Sequence, residues 1–406
     1  MILKNKKIAI ITTGSFPELN DACFIKRYYY ILKRGINLTI LGREKGNWSL
    51  FPKSQKVIIH KKLPGNKLFS IILGFLFYLF SAFVKSPKRT IILLKRFYKS
   101  NEFSMKSLPA LRTILFFFKN HYDIIHFEYG QVGKSFQYLI EFKDIFNTKF
   151  IQSFRGYDVL VRPLAEGRDM YNFIFKHCDY FHFLSELLLK GARDAGYNKN
   201  NFTIIPPAID TDFFKISNDK KKNKKPILIS VARLHWKKGH EYSLQAMKLL
   251  KDNGFKFIFY IVGDGEYKDA ILHEIHALNL EDCVKLTGGK RKEDVKRYLE
   301  MADIFLLSSI SEGFGNAPLE ASAMKLPCVV STEVGGEPES IIDGRTGFVV
   351  PARDPGALAE KIKILIKNPK LRAKMGKEGR EHVIKNYILE KQTEEQIKMY
   401  KKIINL

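Results

Sequence analysis

The stretch at residues 303–332 reads DIFLLSSISEGFGNAPLEASAMKLPCVVST and carries the main signal for the fold. An apolar run is followed by a polar, glycine-rich turn, a segment of helical composition and a second apolar run. Such runs, alternating with helical segments, are typical of strands buried in a parallel sheet. The stretch therefore predicts one strand–helix–strand unit of an α/β domain.

The same alternation runs through most of the 406 residues and forms two series, separated by a lysine-rich break near 215–226. We therefore predict an α/β protein with two Rossmann-like, doubly wound parallel-sheet domains that face each other across a cleft. The predicted segments are an N-terminal domain, a linker, a C-terminal domain and a terminal helix that could pack back on the N-terminal domain. They occupy residues 1–207, 208–225, 226–385 and 386–406.

Composition limits the class of protein and its partners. The formal net charge is +26 and the pI is about 9.7, which favours an anionic partner such as nucleic acid, an anionic membrane or a phosphorylated substrate. The four cysteines are far apart and lack zinc-ligand spacing, which favours free thiols in a reducing compartment. The first apolar run is too short for a signal peptide, so we expect a cytoplasmic protein.

Two acids, Glu312 and Glu320, flank the glycine-rich turn of the quoted stretch. Open parallel sheets bind ligands beyond the carboxyl ends of their strands, where this turn lies. The free amides of the following helix predict an anion site, and a carboxylate one turn inside the helix suits sugar hydroxyls. The alternative is that Glu320 compensates the helix dipole and that Glu312 is a solvated turn residue.

A second candidate element is the segment ARLHWKKGHE, in which Arg233 follows an apolar run and Lys238 comes just before a helix. A guanidinium fork and an ammonium point charge both suit a diphosphate. A basic surface loop is the alternative interpretation. A third element, VGDGE, follows another apolar run and by itself indicates only a turn.

These elements together resemble the retaining glycosyltransferases of family 4, also called glycosyltransferase group 1. The first loop, TTGSFPELNDACF, resembles the branch of that family that makes extracellular and capsular polysaccharides such as colanic acid. The matching motifs are ARLHWKKGHE, VGDGE, LTGG, SEGFGNAPLEA with its E-x7-E spacing, and STEVGGEPESIIDGRTGFVV. The resemblance implies the GT-B fold and transfer of a hexosyl group, with retention of anomeric configuration, from a UDP- or GDP-sugar to a glycan. It implies no cofactor beyond this substrate.

The resemblance also implies which residues hold the donor. Arg233 and Lys238 would clamp the diphosphate, Glu320 would take the ribose hydroxyls and Glu312 would contact the transferred sugar. Further donor contacts are implied for Phe314, Gly315, Asn316, Ala317, Gly263, Gly289, Lys290 and Gly14. Because the two cations and the helix N-terminus stabilise the charge left on the diphosphate, we expect no metal. Asp210-Thr211-Asp212 looks like a metal-binding motif of another glycosyltransferase fold, but we interpret it as a turn and cap.

On the acceptor side, the family commonly carries the pattern Asp-x-x-His-x-His. Here Glu128 stands in place of the second histidine, so either His126 or Glu128 could act on the acceptor. The segment FRGYD places Arg155 where the family commonly has histidine. Arg155 could bind an acidic or phosphate-bearing acceptor, or it could form a structural ion pair with Asp158.

Half of the excess charge lies in residues 51–120, which hold fourteen Lys/Arg and one acid. Within them, residues 68–84 form an uncharged run of seventeen residues between two lysines. Three interpretations are open: a helix docked on an anionic membrane surface, a core helix of the first domain, or a bilayer span, for which about twenty residues are needed. Docking would suit a lipid-linked acceptor and a peripheral enzyme on the inner face of the cell membrane.

Two other functions fit parts of the pattern. A basic nucleic-acid-binding protein would explain the charge, but the charge gathers around an apolar segment and no nucleic-acid-binding module is visible, so we expect no nucleic-acid partner. A nucleotide-sugar epimerase shares the fold, but the E-x7-E spacing is not its mark. The sequence therefore favours a transferase.

Overall fold

The computed structural model describes Leu3 and residues 5–12, 22–41, 68–100, 107–216, 223–332 and 339–405. The chain divides into two compact units. The first unit consists of Met1–Ile205 with Gln392–Leu406, and the second unit consists of Pro206–Lys391. Gly14 and residues 333–338 lie outside the described residues.

The first unit contains a sheet of six strands, all of whose neighbours are parallel. In chain order the strands are β1 Lys7–Ile11, β2 Asn37–Leu41, β3 Ile124–Phe127, β4 Lys149–Phe154, β5 Tyr180–Phe183 and β6 Phe202–Ile204. They are arranged in the sheet as β2-β1-β3-β4-β5-β6. The helices are α1 Ala22–Lys33, α2 Leu68–Lys85, α3 Pro87–Ser100, α4 Leu108–Asn120, α5 Gly130–Ser135, α6 Lys143–Phe146, α7 Gly156–Leu160, α8 Arg162–Glu166, α9 Asn172–His177 and α10 Glu186–Asp194.

The second unit contains another six-stranded parallel sheet. Its strands are β7 Ile227–Val231, β8 Ile258–Val262, β9 Val284–Gly288, β10 Ile304–Leu307, β11 Cys328–Thr332 and β12 Gly347–Pro351. They are arranged as β12-β11-β10-β7-β8-β9. The helices are α11 His240–Asp252, α12 Lys268–Ala277, α13 Lys292–Met301, α14 Asn316–Ala323, α15 Pro355–Lys367 and α16 Pro369–Asn386.

The last helix, α17, spans Leu389–Ile404, and most of it belongs to the first unit. Ile397, Met399, Tyr400 and Ile403 are buried in a core cluster with residues of β1, β2 and α1. Apolar side chains at this spacing lie on one face of a helix, which is why α17 can cover one face of the first sheet.

The two parallel sheets confirm the predicted α/β class. The central strands β3, β5 and β10 are buried at every position, as near-continuous apolar runs predict for strands covered on both faces. Two edge strands, β6 and β12, were not predicted from their residues. β6 is half-buried along its length and has only three residues, so it lacks the long apolar run that marks a central strand.

Helix α2 is formed by the uncharged run predicted to be helical. It packs against α4, and the side chain of Ala82 is fully buried there. Among the helices that the structure describes, none is long and apolar enough to cross a membrane.

Candidate functional site

Four loops of the second unit follow neighbouring strands. Since β10, β7, β8 and β9 are adjacent and parallel, the loops after their carboxyl ends lie along one edge of the sheet. These loops carry most of the donor residues predicted from the sequence. The edge is therefore the candidate site.

The loop after β7 carries Arg233, whose side chain is exposed. It continues as a single 3₁₀ turn, Trp236–Lys238, and ends at Gly239 with φ 56°. A side chain at Gly239 would overlap the carbonyl oxygen of Ser308, so only glycine allows the loop to lie this close to the end of β10. The backbone N–H of Ile310 also donates to the carbonyl of Lys237, at 2.8 Å.

This close approach brings two predicted catalytic residues together. The Lys238 ammonium forms an ion pair with Glu312, and the two side chains are each about a quarter exposed. The Ser309 hydroxyl donates to the same Glu312 carboxylate at 3.3 Å. Lys238 and Glu312 are therefore held at the protein surface with part of each group still open to a ligand.

The loops after β8 and β9 pack against their neighbours through glycines. A side chain at Gly263 would overlap the carbonyl oxygen of Ala232, whereas one at Gly289 would come to an ordinary contact distance of 3.4 Å from Asp264. The Gly263 N–H donates to Gly288 at 3.1 Å, which joins the two loops. Lys290 is exposed just after them. Gly263 permits this tight packing, and that is a structural reason for its presence.

Helix α14 begins directly after the glycine-rich turn. Gly315, with φ 89°, is its N-cap, and the next residues, Asn316 and Ala317, leave amide hydrogens without a partner inside the helix. Phe314 is buried against Tyr387 with ring centroids 5.5 Å apart, so its side chain belongs to the core. Of the four residues predicted to contact the donor in this turn, Phe314 has its ring enclosed in the core, and only its backbone remains a candidate contact.

Glu320 lies in the second turn of α14 and is partly buried. Burial raises the pKa of its carboxyl to about 7, although the nearby Lys292 ammonium acts in the opposite direction. Lys292 itself lies over the rings of Phe214 and Phe213, 5.0 and 5.2 Å from their centroids. It opens α13 just after the β9 loop, so Glu320 is electrostatically coupled to that loop.

Sequence reasoning did not identify Lys292 as a site residue. Its position two residues after Lys290, next to the LTGG motif, is the signal that could have found it.

Asp210 has a structural role in its own turn. Its carboxylate accepts a hydrogen bond from the Phe213 N–H at 3.1 Å, which is the geometry of a turn cap. The described residues contain no cluster of metal-binding side chains.

In the first unit, the predicted acceptor-side residues form a buried charged cluster. The side chain of Glu128 is 1% exposed and contacts the guanidinium groups of Arg27 and Arg155 and the hydroxyl of Tyr28. Burial alone would raise the pKa of Glu128, but Arg27 and Arg155 outweigh it and hold the pKa well below its usual range. Arg27 was not foreseen, because a basic residue inside FIKRYYYILK has the pattern of a solvated helix face.

His126 is also fully buried, and both of its ring nitrogens have partners. Nδ1 lies 2.9 Å from the Tyr400 hydroxyl and Nε2 lies 2.6 Å from the Ser153 hydroxyl. Burial lowers the pKa of His126 to about 4, so the ring is neutral at physiological pH. Neither His126 nor Glu128 presents an open nitrogen or oxygen to solvent.

Arg155 and Asp158 are close in space but have different partners. The Asp158 carboxylate accepts the backbone N–H groups of Arg155 and Gly130, at 2.9 and 3.0 Å, and caps helix α7. The Arg155 guanidinium instead pairs with Glu128 and remains 12% exposed. The structural ion pair of Arg155 is thus with Glu128, while one oxygen of Asp158 accepts both backbone donors.

Comparisons with known proteins point to one family. Residues 212–382 match the family profile described as glycosyl transferases group 1. The amylovoran biosynthesis glycosyltransferase AmsK of Erwinia amylovora is 33% identical over 244 residues, which cover 58% of this chain and 60% of AmsK. The capsular polysaccharide biosynthesis glycosyltransferase CapM of Staphylococcus aureus is 30% identical over 182 residues, or 43% of this chain and 47% of CapM. The matches thus span less than two thirds of these curated relatives.

A solved structure extends the likeness to the whole fold. Anabaena HepE in complex with UDP-glucose has a TM-score of 0.71, 15% sequence identity, and coverage of 98% of this chain and 100% of HepE. At this identity the likeness concerns the fold alone. It confirms the predicted class of two Rossmann-like parallel-sheet units of the GT-B type.

Proposed function

We propose that this protein transfers a sugar from a nucleotide-diphosphate sugar to a glycan acceptor in cell-surface polysaccharide biosynthesis, because residues 212–382 match the glycosyl transferases group 1 profile. The observation that carries the proposal is the carboxyl edge of the second sheet. There an exposed Arg233, the Lys238–Glu312 pair, the free amides of α14 and the Glu320 carboxyl follow adjacent strands. Cations and amides suit a diphosphate, and a carboxylate suits sugar hydroxyls.

The chemistry follows from where charge develops. Breaking the bond between the anomeric carbon and the diphosphate leaves negative charge on the diphosphate. Arg233, Lys238 and the α14 amides stabilise that charge in place before the reaction begins, and one such donor contributes roughly 10²–10³ in rate. Glu312 orients Lys238 and accepts hydrogen bonds from hydroxyls of the transferred sugar, while Glu320 accepts hydrogen bonds from the ribose hydroxyls.

The finer features of the proposal are retention of configuration, a UDP- or GDP-sugar as donor and no need for a metal ion. The nucleotide is supported by the UDP-glucose bound to HepE, which shares the fold. Capsule synthesis is supported by the name of CapM. Independence from metal is supported by Arg233 and Lys238, whose positive charges can replace a divalent cation at the diphosphate.

On the acceptor side, we assign Arg155 as the group that meets an acidic or phosphate-bearing acceptor. Glu128 and His126 then act as positioning residues, because the first holds the Arg155 guanidinium and the second is enclosed by Tyr400 and Ser153. The acceptor is a glycan on a lipid carrier, which places the enzyme at the periphery of the inner face of the cell membrane. This is supported by the basic, apolar composition of residues 51–120.

The test is a thermal-shift screen of the full chain against UDP, GDP, ADP and their sugars, in buffer containing EDTA. One nucleotide should raise the melting temperature, and Arg233→Ala and Glu320→Ala should abolish the shift. Release of free nucleotide diphosphate only when acceptor is supplied would separate a transferase from an epimerase, and NMR of the product would give its anomeric configuration. No shift with any nucleotide would contradict the proposal.

A further inference from the structure

Helix α2 has one packed face and one exposed apolar face. The packed face lies against α4, where Gly74 approaches the Arg112 side chain and Tyr78 meets Phe116 with ring centroids 5.6 Å apart. The exposed face carries six large apolar side chains: Ile72, Leu73, Leu76, Phe77, Phe80 and Val84. A helix packed on one side normally presents polar residues on the other, so this face departs from the pattern of a soluble surface helix.

Helix α3 follows after a single residue and extends the same character. Its exposed apolar side chains are Ile91, Ile92 and Tyr98, and its exposed basic side chains are Lys88, Arg89, Lys95 and Lys99. Their spacing of three and four residues interleaves charge and apolar surface on one side of the helix. None of these four cations is paired with an acid in the part of the chain that the structure describes.

The exposed side chains of α2 and α3 are here called the apolar-basic face. Residues 68–100 hold six Lys/Arg and no acid, and although Arg96 pairs with Asp144, the four exposed cations of α3 give the face a positive charge. We propose that the apolar-basic face docks on an anionic lipid surface, with the α2 side chains inserted among the acyl chains and the α3 cations at the lipid phosphates. This proposal deepens the proposed function. It rests on that function only for the reason why the protein would dock, and not for the docking itself.

The charge decides between the occupants of this face. A second copy of the chain would bring two sets of unpaired cations together, and like charges repel across an interface. An uncharged apolar partner would cover α2 but would leave the α3 cations without counter-charges. An anionic membrane suits both the apolar side chains of α2 and the cations of α3. Each Lys or Arg near such a surface adds to the attraction, and the apolar side chains leave water.

A shallow apolar cavity of about 370 Å³ supports lipid as the occupant. It lies between α3 and α4 and is lined by Leu94, Lys95, Phe97, Tyr98 and Leu111. Lys95 and Tyr98 also belong to the apolar-basic face, so the cavity opens beside it. An apolar space that is lined in part by a lysine and a tyrosine can take a hydrocarbon chain whose phosphate stays outside.

The experiment is sedimentation of the purified full chain with vesicles of phosphatidylcholine, either pure or mixed with phosphatidylglycerol. The apolar variant is Phe80→Glu, and its matched control is Leu164→Glu, since the two side chains are 72% and 76% exposed. The charge variant is K88E/R89E, and its control is K370E/K374E on the exposed side of α16. We expect binding to mixed vesicles, about tenfold weaker or worse in Phe80→Glu and in K88E/R89E, and unchanged in the controls.

Three results would overturn the inference: equal binding to pure and mixed vesicles, equal loss in variants and controls, or a dimer in lipid-free solution that Phe80→Glu dissociates. The nucleotide thermal shift of the same variants separates this inference from the proposed function. A variant that loses vesicle binding but keeps the nucleotide thermal shift has lost the docking face and leaves the proposed function unaffected. A missing nucleotide shift with intact vesicle binding would count against the proposed function and leave the docking face in place.

Discussion

Lys238 and Glu312, separated by 74 residues in the sequence, form an ion pair at the carboxyl edge of the second sheet. The pair exists because β7 and β10 are neighbours and because Gly239 lets the two loops touch. Glu312 therefore holds the Lys238 ammonium near the surface before any substrate binds.

The first prediction concerns Lys238. Lys238→Ala should lower kcat by roughly 10²–10³, because the charge that develops on the leaving diphosphate loses a preorganised cation. Steady-state kinetics with the donor found in the screen would measure the effect. Lys256→Ala is the control, since Lys256 is an exposed lysine of the same unit that lies before β8, at the opposite edge of the sheet. Equal loss of activity in both variants would contradict this role.

The second prediction concerns pH and Glu320. With a pKa of about 7, its carboxyl is mostly neutral at pH 6 and mostly ionised at pH 8. Ribose hydroxyls donate to the ionised form, so the affinity for the nucleotide diphosphate should rise up to about tenfold between these values. Calorimetric titration at both pH values would measure it. Glu320→Gln should remove this part of the pH dependence, and a profile identical to the wild type would count against it.

The same carboxyl affects folding stability in the opposite direction: a rise in pH strengthens nucleotide binding but weakens the fold. Its pKa is higher in the folded chain than in the unfolded one, so ionisation opposes folding, and stability falls as the pH rises from the ordinary value of 4.5 through about 7. We therefore expect ligand-free Glu320→Gln to melt at a higher temperature than the wild type at pH 8. Scanning calorimetry at pH 5 and 8 provides the check, and a lower melting temperature for the variant at pH 8 would be inconsistent with a raised pKa.

The third prediction concerns the packing of the donor loops. Gly263→Ala forces a methyl group into the carbonyl oxygen of Ala232, so the loop after β8 must shift and nucleotide binding should weaken by at least tenfold. Gly254→Ala is the control: its φ of 76° also disfavours a side chain, but no atom lies within 4 Å of the added methyl. It should cost about 1 kcal/mol of stability and leave nucleotide affinity unchanged. Comparable affinities in the two variants would refute the packing argument.

The fourth prediction concerns the buried charge of the first unit. Glu128→Gln leaves the buried Arg27 guanidinium without its carboxylate, and about 3–5 kcal/mol of unfolding free energy should be lost. The depressed pKa of Glu128 also means that its ionised form stabilises the folded chain. This contribution to stability is present above the carboxyl's ordinary pKa and disappears as the pH falls. Urea unfolding of the wild type and of Glu128→Gln at pH 7 would measure the loss of unfolding free energy.

The control for this prediction is Asp282→Asn. Its partner is Lys251, and the Asp282 side chain is 68% exposed. Water screens an exposed pair and makes its contribution small, so this variant should unfold close to the wild type. A similar small change in Glu128→Gln would show that the buried cluster adds nothing to stability.

Most of the second unit could be predicted from local pattern, because buried parallel strands are apolar along their whole length and the loops after them carry glycines and charges. The positions of Arg233, Lys238, Glu312 and Glu320, just after strands β7 and β10, could be predicted in this way. Lys292 was not predicted, because its relation to Glu320 exists only after α13 and α14 are packed on the sheet. The first unit was less predictable: Arg27 and Tyr400 meet Glu128 and His126 across 101 and 274 residues.

The sequence by itself determined the α/β class, the two parallel sheets and the motif residues after their strands, since strand burial and turn chemistry are local properties of the chain. Only the tertiary structure decided which polar groups are enclosed. It buried Glu128 between two arginines, gave both His126 nitrogens partners and turned one face of α2 to solvent. Burial depends on contacts between distant segments, and burial sets the protonation of a carboxyl or imidazole and the partner that an apolar face requires.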